Sequence, residues 1–428
     1  MTSMHPRVAV LVAASGASWE AHALRQLSVG RPDVVLLKRC VDLNDLLATA
    51  TTGQAQVALV AYGLTGLDAG CVDLLGRSGV GAVMVSEPAE LEGEGEATAR
   101  RLGIEHVVAS SSMPCLNEAI LAAGGDPPSV EAISNGDASK RGERGAAGRG
   151  RVLAVWGPTG APGRTTIAVG LAAELASREH ATMLVDVDGY GGAVAQHLGV
   201  LDEMSGLLGA ARLANSGQLD QDRLVSLARQ INPALRVLTG LPRADRWSEV
   251  REIAFDHLLE LTRSLDRYVV LDTGFSLEQD ANAAFGSIAP SRNSMTLAAL
   301  ELADEVVVVG SADPVGLARL ARALVELLET VPGCSLRIAV NRARPSLGWG
   351  EHEVRAMIEG FVTPASVHFL PDDRTAADRA MVSGKSLTEL GDSALRRALA
   401  DLVNAVTGEV GSGPRRRSLR RRKAGTGQ

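Results

Sequence analysis

Short apolar stretches separated by segments of helical periodicity recur along most of this chain, and they constrain its fold more than any other feature. They are continuously apolar rather than alternating, as is typical of strands in a parallel sheet covered on both faces. In the first part of the chain the predicted strands are Val8–Ala14, Val34–Leu37, Val57–Ala61, Ala82–Val85 and His106–Ala109. Apolar residues recur at helical spacing in the segments between them, such as Trp19–Leu27, Leu43–Ala50 and Glu94–Leu102. The pattern predicts an α/β fold.

The same alternation resumes after a change of composition. From Gly124 to Gly150 the sequence is rich in Gly, Ser, Pro and Asn and has no periodicity, which indicates a flexible linker. Beyond it the predicted strands are Val152–Trp156, Met183–Asp186, Leu235–Leu238, Tyr268–Asp272, Glu305–Val309, Leu336–Asn341 and Ser366–Leu370. We therefore predict a five-stranded, doubly wound domain at 1–124, a linker at 125–150, a second domain with a mainly parallel sheet covered by helices on both faces at 151–408, and a disordered tail at 409–428.

Composition and charge exclude several classes of protein. The cysteines lie far apart and form no CxxC pair or cluster with histidine, so neither a disulfide framework nor a zinc site is expected. No uncharged apolar stretch approaches the roughly 18 residues that span a bilayer, and the first residues do not resemble a leader, so we expect a cytoplasmic protein. The net charge is −7, but seven of the 43 basic residues lie together in the tail: Arg415, Arg416, Arg417, Arg420, Arg421, Arg422 and Lys423.

A glycine-rich turn follows the strand Val152–Trp156 and precedes the helical segment Ile167–Ala176. The turn reads Gly157-Pro158-Thr159-Gly160-Ala161-Pro162-Gly163-Arg164-Thr165-Thr166. Such a turn between a strand and a helix directs backbone N–H groups and the positive end of the helix dipole at one point, where a phosphate binds. The sequence matches GxxxxGK[ST] except that Arg164 replaces lysine, and it places Thr165 for Mg²⁺. The alternative is an ordinary turn before a capped helix.

Carboxylates end two further predicted strands. Met183-Leu184-Val185-Asp186-Val187-Asp188 ends in two acids two residues apart, whose side chains point the same way on an extended chain. Tyr268-Val269-Val270-Leu271-Asp272-Thr273-Gly274 ends in one acid followed by a glycine, a pattern that contacts Mg²⁺ and senses a terminal phosphate. Each aspartate alone is equally compatible with a helix cap. Their order after a phosphate loop favours a ligand site at the carboxyl edge of the sheet.

The order of these segments resembles the MinD/ParA branch of P-loop ATPases. The resemblance rests on Gly163-Arg164-Thr165-Thr166, Asp186-Val187-Asp188 and Asp272-Thr273-Gly274. Asn341-Arg342 resembles the position where that branch recognises adenine, and Leu370-Pro371-Asp372-Asp373 resembles its late IPxD segment. Within the branch, an atypical phosphate loop behind a degenerate receiver-like domain is most similar to the CpaE/TadZ proteins of pilus assembly and to actinobacterial septum-site-determining proteins.

The resemblance implies ATP and Mg²⁺ as cofactors and a role for each matched residue. Arg164, contacting the β- and γ-phosphates, and Asp188, orienting the attacking water, would be the catalytic residues. Thr165, Asp186 and Asp272 would serve the metal. The implied nucleotide-binding residues are Gly157, Gly160, Ala161, Pro162, Gly163, Arg164, Thr165, Thr166, Asn341, Arg342 and Pro371.

The phosphate loop departs from the pattern of that branch in three ways. Thr159 stands where the branch usually has a second lysine, which reaches across a dimer interface to the partner's nucleotide. Arg164 keeps the positive charge but is wider and forked. Ala161 and Pro162 stiffen the turn, and the proline removes one N–H donor. We therefore expect nucleotide binding with slow hydrolysis, and the homodimer that the resemblance implies stays open.

The first domain resembles a response-regulator receiver in topology but not in chemistry. An aspartyl phosphate needs a carboxylate after the third strand, an acidic pair after the first and a lysine after the fifth. These places hold Ala61-Tyr62, Ala14-Ser15 and Ser110-Ser111, and Asp68 lies too far along its loop to substitute. We expect a binding or localisation module, or a structural extension of the second domain, without phosphorylation.

Three functions are compatible with these observations. The first is an ATP-dependent positioning protein in septum-site determination, cell division or pilus assembly, located in the cytoplasm or peripherally at a membrane, pole or septum. The second is a non-catalytic scaffold that recruits division or pilus proteins, and the third is a DNA-partitioning ATPase. The basic tail would serve as a solubilising end or would contact nucleic acid or anionic lipid through charge alone.

Overall fold

The structure is a computed structural model that describes residues 7–14, 16–28, 33–88, 95–124, 149–200, 204–279 and 291–409. Four predictions concern residues outside these ranges: nearly all of the linker at 125–150, the basic tail from 410 onward, Ser15, and Glu94 at the start of a predicted helical segment. They stay predictions, as do the domain boundaries.

The first sheet consists of five parallel strands in the order β2-β1-β3-β4-β5. Its strands are β1 (Val8–Ala13), β2 (Val34–Arg39), β3 (Val57–Ala61), β4 (Gly81–Ser86) and β5 (His106–Ala109). This is the order of flavodoxin-like folds, and it confirms the predicted architecture of this part. Alternate residues of β1 face opposite sides, with Leu11 in one apolar cluster and Val10 in the other. Helices cover both clusters: α1 (Glu20–Ser28), α2 (Leu43–Ala50), α3 (Ala69–Arg77), α4 (Glu96–Leu102) and α5 (Leu116–Ala123).

The second sheet is mixed and has the order β13-β12-β11-β6-β10-β7-β9-β8. Its strands are β6 (Arg151–Trp156), β7 (Thr182–Val187), β8 (Arg229–Asn232), β9 (Leu235–Leu238), β10 (Tyr268–Thr273), β11 (Glu305–Ser311), β12 (Leu336–Ala343) and β13 (Ser366–Pro371). Every described pair is parallel except β8 with β9, which confirms a mainly parallel sheet. β8 was not predicted from the sequence because this edge strand has no apolar run.

Helices cover both faces of the second sheet. They are α6 (Arg164–Ser177), α7 (Val194–His197), α8 (Gly206–Asn215), α9 (Gln221–Leu227), α10 (Glu252–Leu265), α11 (Ser294–Glu301), α12 (Pro314–Thr330), α13 (Glu351–Glu359), α14 (Arg374–Ser383), α15 (Leu387–Leu390) and α16 (Ala394–Thr407). Every residue of α6 from Ile167 to Ala176 is buried. Leu399 of α16 packs closely on Gly170, and Leu395, Leu402 and Val406 of the same helix lie in the same apolar cluster. No helix among the described residues has the length and hydropathy to cross a bilayer.

The strand order creates a switch point beside β6. The chain passes from β6 through α6 to β7, returns to β10 between them, and then continues to β11 on the other side of β6. The carboxyl ends of β6, β10 and β7 therefore lie side by side, and Asp272 is paired in register with Asp186. In open α/β sheets, ligands bind at the carboxyl edge next to such a switch point.

A polar and an apolar contact join the parts of the chain that contain the two sheets. Arg251, just before α10, makes an ion pair with Asp68. Asp68 also caps α3 by accepting the N–H of Cys71 at 2.9 Å. Ile253 of α10 packs against Gly70 of α3. Asp68 is therefore a structural residue at this contact.

Candidate functional site

The turn after β6 holds its shape through two glycines in the left-handed region. Gly160 has φ +77° and Gly163, the N-cap of α6, has φ +88°. Residues other than glycine rarely adopt this conformation. Among the described residues no side chain caps α6. The N–H groups of its first turn are therefore available to an anion, as the sequence predicts.

The strands β11 and β12 pack closely against the turn on two sides. A methyl group on Gly157 would overlap the carbonyl oxygen of Val309 in β11. One on Gly163 would lie 2.5 Å from the Nδ2 atom of Asn341, at the end of β12. The spacing of glycines is thus required by packing as well as by backbone conformation.

The side chain of Arg164 folds back over the turn. Its Nη1 donates a hydrogen bond to the carbonyl oxygen of Gly157 at 3.0 Å, and its Nη2 lies 4.0 Å from Oδ2 of Asp188. The guanidinium carbon is 6.0 Å from the centre of the Phe275 ring. The arginine therefore bridges the phosphate loop and the carboxylate after β7, the two elements that the sequence analysis assigned to one site.

Asp186 and Asp272 are both 1% exposed, but their hydrogen bonds differ. The carboxylate of Asp186 accepts the N–H of Val194 at 3.1 Å and that of Asp188 at 3.3 Å, and it packs under Gly192 and Gly240. Neither carboxylate oxygen of Asp272 has a hydrogen-bond partner of good geometry among the described residues. Asp272 is therefore the carboxylate that lacks a partner.

Burial raises the pKa of both carboxyl groups. Loss of solvent raises the pKa of Asp186 to about 7, although the two N–H bonds act in the opposite direction. Burial also raises the pKa of Asp272 well above its usual value, and the Asp186 carboxylate adds to this effect. The nearby hydroxyl of Thr165 and the charge of Arg164 partly oppose it. A divalent cation would relieve the cost of charging these two acids.

The residues around Asp272 fit a Mg²⁺ ion that is bound partly by phosphates and water. They do not form a site in which protein side chains alone would hold a metal ion. Mg²⁺ takes oxygen ligands and, in nucleotide sites, keeps several waters beside one or two carboxylates and the phosphates. The unpartnered oxygens of Asp272 and the hydroxyl of Thr165 provide such a set. In the described ranges no three His, Cys, Asp or Glu side chains are grouped to hold a metal by themselves.

A polar network extends from Asp188 toward α11. The carboxylate of Asp188 accepts the N–H of Tyr190 at 2.9 Å, and the Tyr190 hydroxyl donates to Oδ1 of Asn293 at 2.8 Å. The guanidinium of Arg292 lies 4.2 Å from the centre of the Tyr190 ring. Tyr190 was not predicted as a site residue because nothing in its spacing relates it to the segment before α11.

A cavity of about 580 Å³ opens beside the first turn of α6. It is lined by Ala161, Gly163, Arg164, Thr165, Thr166, Ile167, His197, Asn341, Arg342, Pro371, Asp372, Asp373, Arg374, Ala377, Asp378, Met381 and Leu395. The residues of the predicted nucleotide site at the loop, at the end of β12 and at the end of β13 thus surround one space. Gly157, Gly160 and Pro162 lie outside its lining, as do the three aspartates at the ends of β7 and β10.

Two features of this cavity lay outside the sequence prediction. His197 reaches it from α7, and burial lowers the pKa of this imidazole. Arg374 and Asp378 reach it from α14. Asp373 caps α14 by accepting the N–H of Ala376 at 3.2 Å, so an acid at this place was a usable signal for the start of α14, whereas a lone histidine gave none.

The places that carry receiver chemistry hold no aspartate acceptor among the described residues. Glu87, after β4, accepts a hydrogen bond from the Ser110 hydroxyl at 2.6 Å and another from Ser18. Asp68 is occupied by its cap and by Arg251. The absence of phosphorylation stays a prediction.

No family model matches the chain. The chromosome partitioning protein ParA of Myxococcus xanthus (strain DK1622) is 34% identical over 172 residues, which are 39% of this chain and 54% of that protein. The chain thus spans about half the length of this curated relative. A ParA family ATPase from Chlorobium tepidum TLS has a solved structure that aligns with a TM-score of 0.50 and 20% identity, over 59% of this chain and 98% of that one. The cell division ATPase MinD of Pyrococcus furiosus aligns over 60% of this chain, with 16% identity and a TM-score of 0.48.

The second sheet, with the glycine turn after β6 and paired acids at the ends of β7 and β10, has the fold of the ParA-type P-loop ATPases. The five-stranded flavodoxin-like sheet precedes it in the chain.

Proposed function

We propose that this chain binds Mg·ATP at the carboxyl edge of its second sheet and acts as a nucleotide-dependent positioning protein. One observation carries the proposal. Asp272 is buried with two unpartnered carboxylate oxygens, next to Thr165 and the uncapped start of α6. A buried, unpaired carboxylate is costly, and proteins tolerate it where a ligand completes the site.

Each residue of the site has a role in this proposal. The amides at the start of α6 hold the phosphates, and Arg164 contacts the β- and γ-phosphates. Thr165 and Asp272 face the metal, with Asp186 behind them, already bonded to backbone N–H groups. Asn341, Arg342 and Pro371 surround the adenine in the cavity. The metal supplies positive charge that balances the phosphates and the buried acids.

The network from Asp188 to Asn293 is the proposed switch. Asp188 holds the attacking water, and it lies 4.0 Å from Arg164, which contacts the phosphates in the proposed complex. Movement of Arg164 toward a terminal phosphate would release Asp188, and Tyr190 would pass the change to Asn293 at the start of α11. Segments ordered by a terminal phosphate and released after its loss are a common switch in nucleotide-binding proteins.

The process that this switch serves is a finer proposal. A flavodoxin-like sheet without receiver chemistry, ahead of an ATPase sheet with an atypical phosphate loop, supports a position near the CpaE/TadZ and septum-site-determining proteins. In this proposal the first sheet binds division or pilus proteins, and the ATPase part forms a homodimer around nucleotide. The similarity of the chain to a chromosome partitioning protein supports DNA partition as another process that the same ATPase part would serve.

A scaffold without turnover is the second candidate function. It is favoured by Thr159, which stands in place of the second lysine. It is also favoured by the hydrogen bond from Arg164 to the Gly157 carbonyl, because this bond keeps the guanidinium within its own loop. In the scaffold, nucleotide would serve only to hold the site together.

Calorimetric titration with Mg·ATP and Mg·ADP, followed by phosphate-release kinetics, separates these proposals. The switch predicts binding of both nucleotides and slow release that Asp188→Ala abolishes without abolishing binding. Binding without any release supports the scaffold. Failure to bind either nucleotide contradicts the proposed function altogether. A salt titration of DNA binding with and without residues 414–428 tests the partition outcome.

A further inference from the structure

The phosphate loop is short of one positive charge relative to the sequence pattern it resembles. From Gly157 to Gly163 it contains no lysine or arginine, and Thr159 occupies the place of the second lysine. A triphosphate with its magnesium ion keeps a net negative charge. A cation from elsewhere in the fold would therefore strengthen its binding.

An arginine from a neighbouring helix lies against this loop. Arg319 is in the second turn of α12, which follows β11 next to β6. A methyl group on Gly160 would overlap the Nη1 atom of Arg319, so the guanidinium rests directly on the backbone of Gly160. Gly160 immediately follows Thr159, so the cation lies where the loop lacks its own.

The guanidinium of Arg319 is available for a ligand. Its side chain is exposed, and among the described residues it forms no hydrogen bond or ion pair. The acid at the start of the same helix, Asp313, accepts bonds from the Ser311 hydroxyl and the Gly316 N–H. Arg322, one turn further along, instead donates to the Ala318 carbonyl of its own helix at 3.4 Å.

We infer that Arg319 contacts the terminal phosphate of a nucleoside triphosphate bound in the same chain and supplies the charge that Thr159 lacks. This inference rests on the proposed function. A guanidinium presents a planar fork of N–H donors that matches the oxygens of a phosphate group. A diphosphate lacks the terminal group, so Arg319 distinguishes triphosphate from diphosphate.

The test uses four forms of the full chain: unmodified, Arg319→Met, Arg319→Lys and Arg322→Met. Methionine keeps much of the packing on Gly160 but removes the charge, and Arg322→Met is the matched control on the same helix. The readouts are the dissociation constants of Mg·ATP and Mg·ADP by calorimetry and the melting temperature of each variant without nucleotide.

Arg319→Met is expected to weaken Mg·ATP binding about tenfold, the loss typical of one charge-assisted hydrogen bond, and to change Mg·ADP binding less than about twofold. Arg319→Lys is expected to recover part of the loss, and Arg322→Met to leave both constants unchanged. Equal losses for both nucleotides, no loss, tighter binding, or the same loss in Arg322→Met would overturn the inference. If the unmodified chain binds neither nucleotide, the proposed function fails and the inference with it. If it binds both and Arg319→Met matches it, only the role of Arg319 fails.

Discussion

The side-chain amide of Asn341 donates a hydrogen bond to the carbonyl oxygen of Pro162, with 2.9 Å between the two atoms. The other end of the same side chain accepts the N–H of Arg342, also at 2.9 Å. The end of β12 therefore supports the phosphate loop directly. A residue that the resemblance implies in adenine recognition thus also holds the proposed phosphate loop in place.

Removing this bond should weaken nucleotide binding and reduce stability together. Asn341→Ala is expected to lower the free energy of unfolding by about 1 kcal/mol, the usual net value of one hydrogen bond. Asn341→Asp should lower it further, because an ionised carboxylate cannot donate to the Pro162 carbonyl. Chemical denaturation and calorimetry with Mg·ADP measure the two effects. Asn215→Ala, which removes a bond to the Glu249 carbonyl far from the loop, should leave nucleotide binding unchanged. Unaltered binding in Asn341→Asp would refute this role.

The charge of Arg164 should matter more than its hydrogen bond to Gly157. Arg164→Gln keeps a donor for the Gly157 carbonyl but loses the charge, and it is expected to weaken Mg·ATP binding by about tenfold or more. Arg164→Lys keeps the charge and restores the lysine of the GxxxxGK[ST] pattern, so it should retain binding within about threefold. Calorimetry on both variants decides the matter. Equal affinities of Arg164→Gln and Arg164→Lys for Mg·ATP would show that the arginine only stabilises its own loop through the hydrogen bond to Gly157.

Gly163 should tolerate alanine less well than a glycine of the same backbone conformation elsewhere. Gly333 has φ +80° and an open space around its missing side chain, so Gly333→Ala measures the conformational cost alone, about 1 kcal/mol. Gly163→Ala adds a contact with Asn341 and displaces its bond to Pro162, so about 1 kcal/mol more is expected. Urea denaturation of both variants tests this. Equal losses would contradict the close packing of the loop on β12.

The unpaired carboxyl of Asp272 should make the metal-free chain less stable as pH rises. Its pKa is higher in the folded chain than the ordinary value of 3.8, so the folded state binds this proton more tightly than the unfolded state. The contribution of Asp272 to the free energy of unfolding is therefore largest below the ordinary pKa. It falls as pH rises from the ordinary pKa through the pKa of the folded chain. Asp272→Asn removes the titrating group and should melt several degrees higher than the unmodified chain at about pH 8, with a smaller difference at about pH 5.

Melting curves in EDTA across this pH range provide the measurement. Asp222→Asn, at an exposed position, is the control and should follow the unmodified chain. A lower melting temperature for Asp272→Asn than for the unmodified chain at the higher pH would show that the carboxylate is stabilised by contacts within the protein. The same variant should lose its response to Mg²⁺ in nucleotide binding.

The sequence predicted the layout of the sheets and the acids at their edge because these depend on local patterns. Continuous apolar runs identified β6, β7 and β10, and the parallel arrangement then placed Asp186 and Asp272 side by side. The edge strand β8 escaped prediction because pairing with β9, rather than an apolar pattern, makes it a strand.

The details of the site depend on how distant elements pack, which no local pattern records. The two N–H bonds to Asp186 come from the loop after β7, and they leave Asp272 as the carboxylate without partners. The contact of Arg319 with Gly160 depends on where α12 crosses the edge of the sheet. Nothing in the sequence around either residue identifies the other.

That contact also restricts how this protein can change over evolutionary time. A methyl group at position 160 would displace the guanidinium of Arg319 from its place on the backbone of Gly160. The two positions are therefore expected to vary together among homologous chains. A residue other than glycine at the first, already disfavoured by its positive φ, should appear more often where the second has a shorter side chain.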